Sequence, residues 1–286
     1  MIEIHNLYKS FGEKEVLTNI NMNVANGKIT SLVGKNGAGK STIIGIIANY
    51  MTSDKGSIKK ESVSIMPDAD NLFSDMTGRY FLTFMEKLKN KKETYKEWEI
   101  LCKELGLEHS LDKKIKEYSF GMKKKISFIQ TCIGQYDTYV FDEPTSGVDV
   151  HSSVIMMGII EELKGKSAVL LTSHNMDEIE RVSDYIYFLE GGTILKHGTT
   201  KQIIDKESRT CERYYVIETS NADEVIEYLT KIENVHVEKN NTGVLLLLDE
   251  TISIQSIIFT ILSNKIKIDG FWEEKKSLQT IFFKQE

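Results

Sequence analysis

The stretch GKNGAGKST, Gly34 to Thr42, constrains the fold of this chain more than any other feature. It follows the apolar run KITSLV and leads directly into STIIGIIANY, so a strand, a glycine-rich loop and a buried helix succeed one another. The spacing G-x-x-x-x-G-K-[ST] has a physical meaning only at such a junction. Glycines at 34, 37 and 39 let the backbone curl into a nest of N–H groups able to face phosphates, and Asn36, Ala38 and Thr42 complete the loop. Lys40 then reaches the outer phosphates, and Ser41 offers a hydroxyl to a magnesium ion.

The rest of the chain supplies the sheet such a loop needs. TYVFD (Thr138 to Asp142), SAVLLTS (Ser167 to Ser173) and DYIYFLE (Asp184 to Glu190) read as strands separated by helical stretches, the pattern of a parallel sheet covered by helices. GGTILKHG adds a hairpin arm. MIEIHNLY alternates apolar and polar residues like an edge strand, and INMNV alternates again, so the start of the chain reads as a small antiparallel layer. Residues 75 to about 135 show helical spacing without a comparable strand, a helical insertion. Apolar content lapses in KESRTCER, and we place a domain boundary near residue 206. Beyond it YYVIET, ADEVIEYLTKI, NVHVEK, VLLLLDE, SIQSIIFTILSNKI and IDGFWEE resemble a ferredoxin-like βαββαβ layer, with a last helix SLQTIFFK. The fold class is α/β, with domains at 1–206 and 207–286.

Composition removes several functions. With 36 basic and 42 acidic residues the net charge is -6, which supplies no broad electrostatic footprint for nucleic acid, and none is expected as a partner. Cys102, Cys132 and Cys211 are far apart and odd in number, so they form neither a disulfide framework nor a metal knuckle. The longest aliphatic run, Val244 to Leu248, is far below the roughly 20 residues needed to span a bilayer.

Two further sites stand at strand ends. TYVFDEP puts Asp142 and Glu143 at the end of an apolar strand, which Pro144 then breaks. Alone, adjacent acids there fit a solvated turn equally well. Beside a phosphate loop, Asp142 suits a metal ligand acting through water, and Glu143 suits a base that takes a proton from an attacking water. Strand alternation points the two side chains differently. His174, in TSHNMDE, ends the next strand. Gly34, Asp142 and His174 therefore close three parallel strands, and ligands of open α/β sheets bind outside such carboxyl ends. His174 there reads as a sensor of the γ-phosphate.

Taken together these residues resemble the ATP-binding subunit of an ABC transporter, over roughly residues 1–206, with the fold of a P-loop NTPase core, an antiparallel β subdomain and a helical insertion. YSFGM, Tyr118 to Met122, looks like the family signature usually written LSGGQ; Ser119 and Gly121 match, while Tyr118, Phe120 and Met122 depart toward the SxGM variants of exporter ATPases. Lys123 to Lys125 read as a plain basic helix start. SGVD, Ser146 to Asp149, matches the D-loop, and Phe11 matches the aromatic residue that stacks on adenine. The family commonly has a glutamine after the strand SVSIM; Asp68 stands there, shorter and charged, with a metal-linked contact as its remaining role. The resemblance implies ATP and Mg2+ as cofactors. It also implies a head-to-tail homodimer or heterodimer in which Ser119 grips the phosphate beside the partner's Lys40, a separate transmembrane permease docked near MTGRYFLTFM, and a peripheral place on the cytoplasmic face of the cell membrane. Export of a drug, bacteriocin or peptide is the expected task. An importer ATPase whose C-terminal domain senses ligand, and a soluble ABC ATPase acting on DNA or ribosomes, remain as alternatives.

Overall fold

The computed structural model describes residues 1–89, 97–207, 213–249, 251–274 and 278. The chain divides into two compact units, Met1–Thr200 and Lys201–Glu286. The helix expected over SLQTIFFK lies outside the described residues apart from Leu278, as do Cys211 and most of KESRTCER.

In the first unit β1 (Ile2–Phe11) and β2 (Lys14–Val24) form a hairpin, turned at Gly12 with φ 60°. β3 (Ile29–Val33) is buried at every position and runs through the glycine loop into α1 (Lys40–Ile47), whose isoleucines fill the core beneath it. β4 (Lys55–Lys60) pairs with the free side of β1, giving the order β2-β1-β4. β1 is therefore the central strand of its layer and not an edge. The segment KGSIKK hides this because its three lysines surround one half-buried apolar residue, Ile58, and its backbone ladder to β1 leaves no hydrophobic pattern.

β5 (Val63–Ile65) precedes the insertion, which holds α2 (Gly78–Lys89), α3 (Trp98–Glu104) and α4 (Phe120–Cys132). Then come β6 (Thr138–Asp142), α5 (Val150–Lys164), β7 (Ala168–Thr172), α6 (Met176–Val182), β8 (Tyr185–Glu190) and β9 (Thr193–Gly198); α7 (Thr200–Glu207) follows, all but its first residue belonging to the second unit. The six-stranded sheet has the order β5-β6-β7-β3-β8-β9, with only the final pair antiparallel. The carboxyl ends of β5, β6, β7 and β3 consequently share one edge. β3 and β7 are buried along their whole length, as strands covered on both faces must be. The Phe128 ring of α4 stacks on Phe141 of β6 with centroids 5.1 Å apart, which anchors the insertion to a strand carrying site residues. Burial pushes the thiols of Cys102 and Cys132 up to about 12, leaving both unreactive.

The glycine loop depends on close backbone approach. A Cβ on Gly34 would lie 2.3 Å from the Leu189 carbonyl oxygen of β8 and 3.2 Å from Ala38 Cβ. Backbone cannot give way as a flexible side chain does. Gly34→Ala should therefore cost about 1–3 kcal/mol, read as a lower urea midpoint at unchanged slope; a midpoint equal to the parent's would contradict the packing.

The second unit contains β10 (Arg213–Glu218), α8 (Ala222–Leu229), β11 (Val235–Lys239), β12 (Gly243–Leu248), α9 (Ile254–Ser263) and β13 (Gly270–Glu274). They form one antiparallel sheet of order β11-β12-β10-β13. β12, the aliphatic run, lies between two neighbours, and its Val244, Leu246 and Leu248 share a core with Val225 of α8 and Ile257 and Ile261 of α9.

Candidate active site

The loop leaves β3 at Gly34 and turns through two left-handed glycines, Gly37 at φ 81° and Gly39 at φ 113°. Such angles cost residues with a Cβ heavily, so glycine is what permits the curl. Ala38 N donates to Lys35 O at 3.1 Å, and Ile43 N to Gly39 O at 3.0 Å, which joins the loop to the first turn of α1. Lys40 is buried; its Nζ donates to Gly34 O at 2.5 Å and Lys35 O at 3.3 Å, folding the ammonium back over the loop. Asn36 and Ser41 are exposed and Thr42 half-buried. Leu17 of β2 packs against Gly39, and Phe11, half-exposed with Lys9 Nζ 5.3 Å from its ring centre, stands at the hairpin where that strand begins.

Asp142, Glu143 and His174 meet two strands away. Asp142 lies opposite Thr172 in the β6–β7 register, and its Oδ1 accepts from Thr172 Oγ1 at 2.5 Å. The amide of Glu143 donates to Thr172 Oγ1 at 3.0 Å and to Thr172 O at 3.2 Å. Glu143 Oε2 lies 2.6 Å from His174 Nδ1. The two acids do point differently, but strand alternation is not the cause. β6 ends at Asp142, and Glu143 adopts φ 48°, a left-handed conformation that turns its carboxylate toward His174. That conformation costs a non-glycine residue about 1–3 kcal/mol and persists only where surrounding contacts enforce it.

Other contacts fix the histidine. Asn175 caps α6 by accepting from Asp177 N and Glu178 N at 3.1 and 3.2 Å. Glu178 Oε2 accepts from Thr145 Oγ1 at 3.0 Å and Ser173 Oγ at 3.2 Å, tying the loop after β6 to the residue before His174. Neither Thr172 nor Glu178 is singled out by the sequence. Thr172 carries a signal, a polar residue ending the otherwise aliphatic strand AVLLT; Glu178 looks like any exposed helical acid.

Asp68 is exposed at the same sheet edge and caps a short 3-10 turn, accepting from Asp70 N at 3.2 Å. Ser119 caps α4, accepting from Met122 N at 3.3 Å. Gly121 packs against the loop of Ser146 to Asp149, where an added Cβ would fall 2.8 Å from Gly147 O. Lys125 Nζ reaches Asp149 Oδ2 at 2.7 Å; that hydrogen bond, with one from Ser152 N, holds the Asp149 carboxyl well below the usual carboxylate range. The lysines are therefore more than a basic helix start. A groove of about 460 Å³ opens beside His174, bounded by Thr145 to Val148, Val150, Val154 and α6.

A glycine loop at the carboxyl edge of a parallel sheet, with acids at the end of a strand two places along the same edge, defines a P-loop nucleotide-binding ATPase core. The ABC transporter family model matches residues 17–146. The Nod factor export ATP-binding protein I of a Rhizobium species is 31% identical over 72% of this chain and 73% of its own. The lantibiotic transport ATP-binding protein SrtF of Streptococcus pyogenes is 30% identical over 68% of this chain and 89% of its own. A solved structure of a dimeric bacterial ABC transporter cassette superposes with a TM-score of 0.63 at 20% identity, covering 70% of this chain and 98% of that one, a likeness of fold. The chain belongs to the ABC transporter ATP-binding proteins and is an ATPase of that family.

Proposed function

We propose that this chain is the separate energising subunit of an ABC exporter, with a drug, bacteriocin or peptide as the cargo of a distinct membrane protein. The observation that carries this is one sheet edge that gathers the Gly34–Thr42 loop, Asp142, Glu143 and His174. The names of the Nod factor export and lantibiotic transport relatives support export.

The residues fit magnesium ATP. Left-handed angles at Gly37 and Gly39 curl the loop into the nest that a polyphosphate would need, and the buried Lys40 supplies a cation at its base. Ser41 and Asp142 are hard oxygen donors. Among the described residues no cluster of three or more acids, histidines and cysteines encloses a metal, as suits an ion that is shared with phosphates and keeps its waters. Magnesium there would neutralise charge on the terminal phosphates. Glu143 acts as the base toward the attacking water. His174, its Nδ1 engaged by Glu143, would serve as the sensor of the γ-phosphate. Phe11 would stack on adenine, and Asp68 would make a metal-linked contact.

Ser119 and Gly121 serve the nucleotide of a second ATPase subunit, identical or related. Exposed Val150 and Val154 beside the groove near His174 support a partner face there. The βαββαβ order and strand arrangement of the second unit support a ferredoxin-like accessory domain over 207–286. Among the described residues no helix is long and apolar enough to cross a membrane. The proposed membrane contact is instead a groove of about 340 Å³ lined by Pro67, Leu72, Phe73, Phe81 and Met85, beside exposed Tyr80 and Leu88. It supports a peripheral subunit, which on this reading works at the cytoplasmic face of the cell membrane.

Solubilised membranes carrying a tagged copy should yield a transmembrane protein bound to it. Phe73→Glu should lower that yield several-fold with ATP binding unchanged, because it replaces an exposed apolar contact with a charge that a docked partner would have to desolvate. A chain that stays unaccompanied and hydrolyses ATP only with DNA or ribosomes would overturn this reading in favour of the soluble alternative.

A further inference from the structure

Lys123, Lys124 and Lys125 lie close behind the first turn of α4, where the helix dipole disfavours cations. Two of them find acids: Lys123 lies 3.9 Å from Asp70 and Lys125 2.7 Å from Asp149. Lys124 differs. It is buried, and its Nζ donates to the backbone carbonyls of Glu143 at 3.1 Å and Asp142 at 3.4 Å, with the Phe120 ring centre 5.9 Å away. Burying an ammonium against carbonyls is expensive unless they hold it well. The residue whose carbonyl accepts the shorter of the two bonds, Glu143, is the one held at φ 48°. Glu143 is thus fixed at its amide by Thr172 of β7 and at its carbonyl by Lys124 of α4.

We propose that Lys124 is a positioning residue for hydrolysis, holding the strained backbone of Glu143 so that its carboxylate faces the attacking water. It sits on the same helix as Ser119, five residues on, a little over one turn. The helix that grips the partner's nucleotide at its cap therefore also holds the acid of its own chain. Seating Ser119 on one nucleotide sets Glu143 for the other. This rests on Glu143 being the base.

The test is steady-state ATP hydrolysis by Lys124→Met, which keeps length and burial but removes the donors. We expect kcat to fall by about 10- to 100-fold, since small misplacements of a reacting group cost that much, with KM and nucleotide binding within about twofold. Lys124→Met should also accumulate an ATP-bound dimer, as a chain blocked only at hydrolysis does. Lys124→Arg, which keeps the cation and donors, should recover most of the rate. Should Lys124→Met fail to unfold cooperatively, Lys124→Gln is read the same way, with a smaller loss because its neutral amide NH2 still offers two N–H donors. A normal kcat, or a loss of ATP binding and pairing in step with kcat, overturns the inference. A slow Glu143→Gln beside a normal Lys124→Met overturns it alone, whereas a Glu143→Gln chain with full turnover removes the base assignment beneath it.

Discussion

Glu143→Gln should slow ATP hydrolysis by about 10²-fold or more while ATP still binds. The amide has the size of the carboxylate and can still hydrogen-bond His174, so the left-handed turn held by Thr172 and Lys124 has no reason to relax. What the substitution removes is the ability to accept a proton. The loss should therefore fall on kcat, with nucleotide affinity close to the parent's. A further consequence separates a lost base from a damaged site. If closure needs only bound nucleotide and opening needs hydrolysis, the purified variant with magnesium ATP should run at twice the monomer mass, and with ADP as a monomer. Near-normal turnover would remove Glu143 from the role. A monomer in both nucleotides would remove ATP as the adhesive between chains.

The sequence exposed the parts of this site that are rigid and local. The glycine spacing named the loop because left-handed angles at Gly37 and Gly39 leave few alternatives, and the aliphatic runs around Asp142 and His174 marked strands buried on both faces. What stayed hidden is made of contacts between elements far apart in the chain. Thr172 bonds to Asp142 across 30 residues, Glu178 to Thr145 across 33, and Lys124 to Glu143 across 19. No local pattern encodes such pairs. β4 escaped for a different reason: a charged strand held by backbone ladders has no hydrophobic period to display. The turn at Glu143 shows the limit of a correct expectation, because two side chains were separated as alternation requires, yet the separation comes from a backbone conformation that ends the strand.

A chain carrying Ser119→Arg and a chain carrying Lys40→Ala should each fail to pair with itself in ATP and should pair with one another. Both are best made in the Glu143→Gln background, so that pairing is read without turnover. In a head-to-tail sandwich each pocket takes Lys40 from one chain and Ser119 from the other. A Lys40→Ala pair binds nucleotide poorly, because the buried ammonium at the base of the loop is gone and the backbone N–H groups must meet the outer phosphates without it. A Ser119→Arg pair binds nucleotide but presents a bulky side chain where a hydroxyl and helix N-terminus must close on it. The mixed pair has one pocket with both groups intact and one with neither. Tagging the two variants differently and capturing one should recover the other in ATP, enriched about tenfold or more over either variant alone, with one nucleotide per pair. An energy difference of only about 1.4 kcal/mol produces that ratio. Recovery that is equal in same-variant and mixed samples would mean the chains associate through a face that ignores these residues. No recovery in any sample, while the Glu143→Gln parent pairs normally, would count against pairing through one composite pocket, leaving either pockets contained in one chain or a pair that needs both pockets filled.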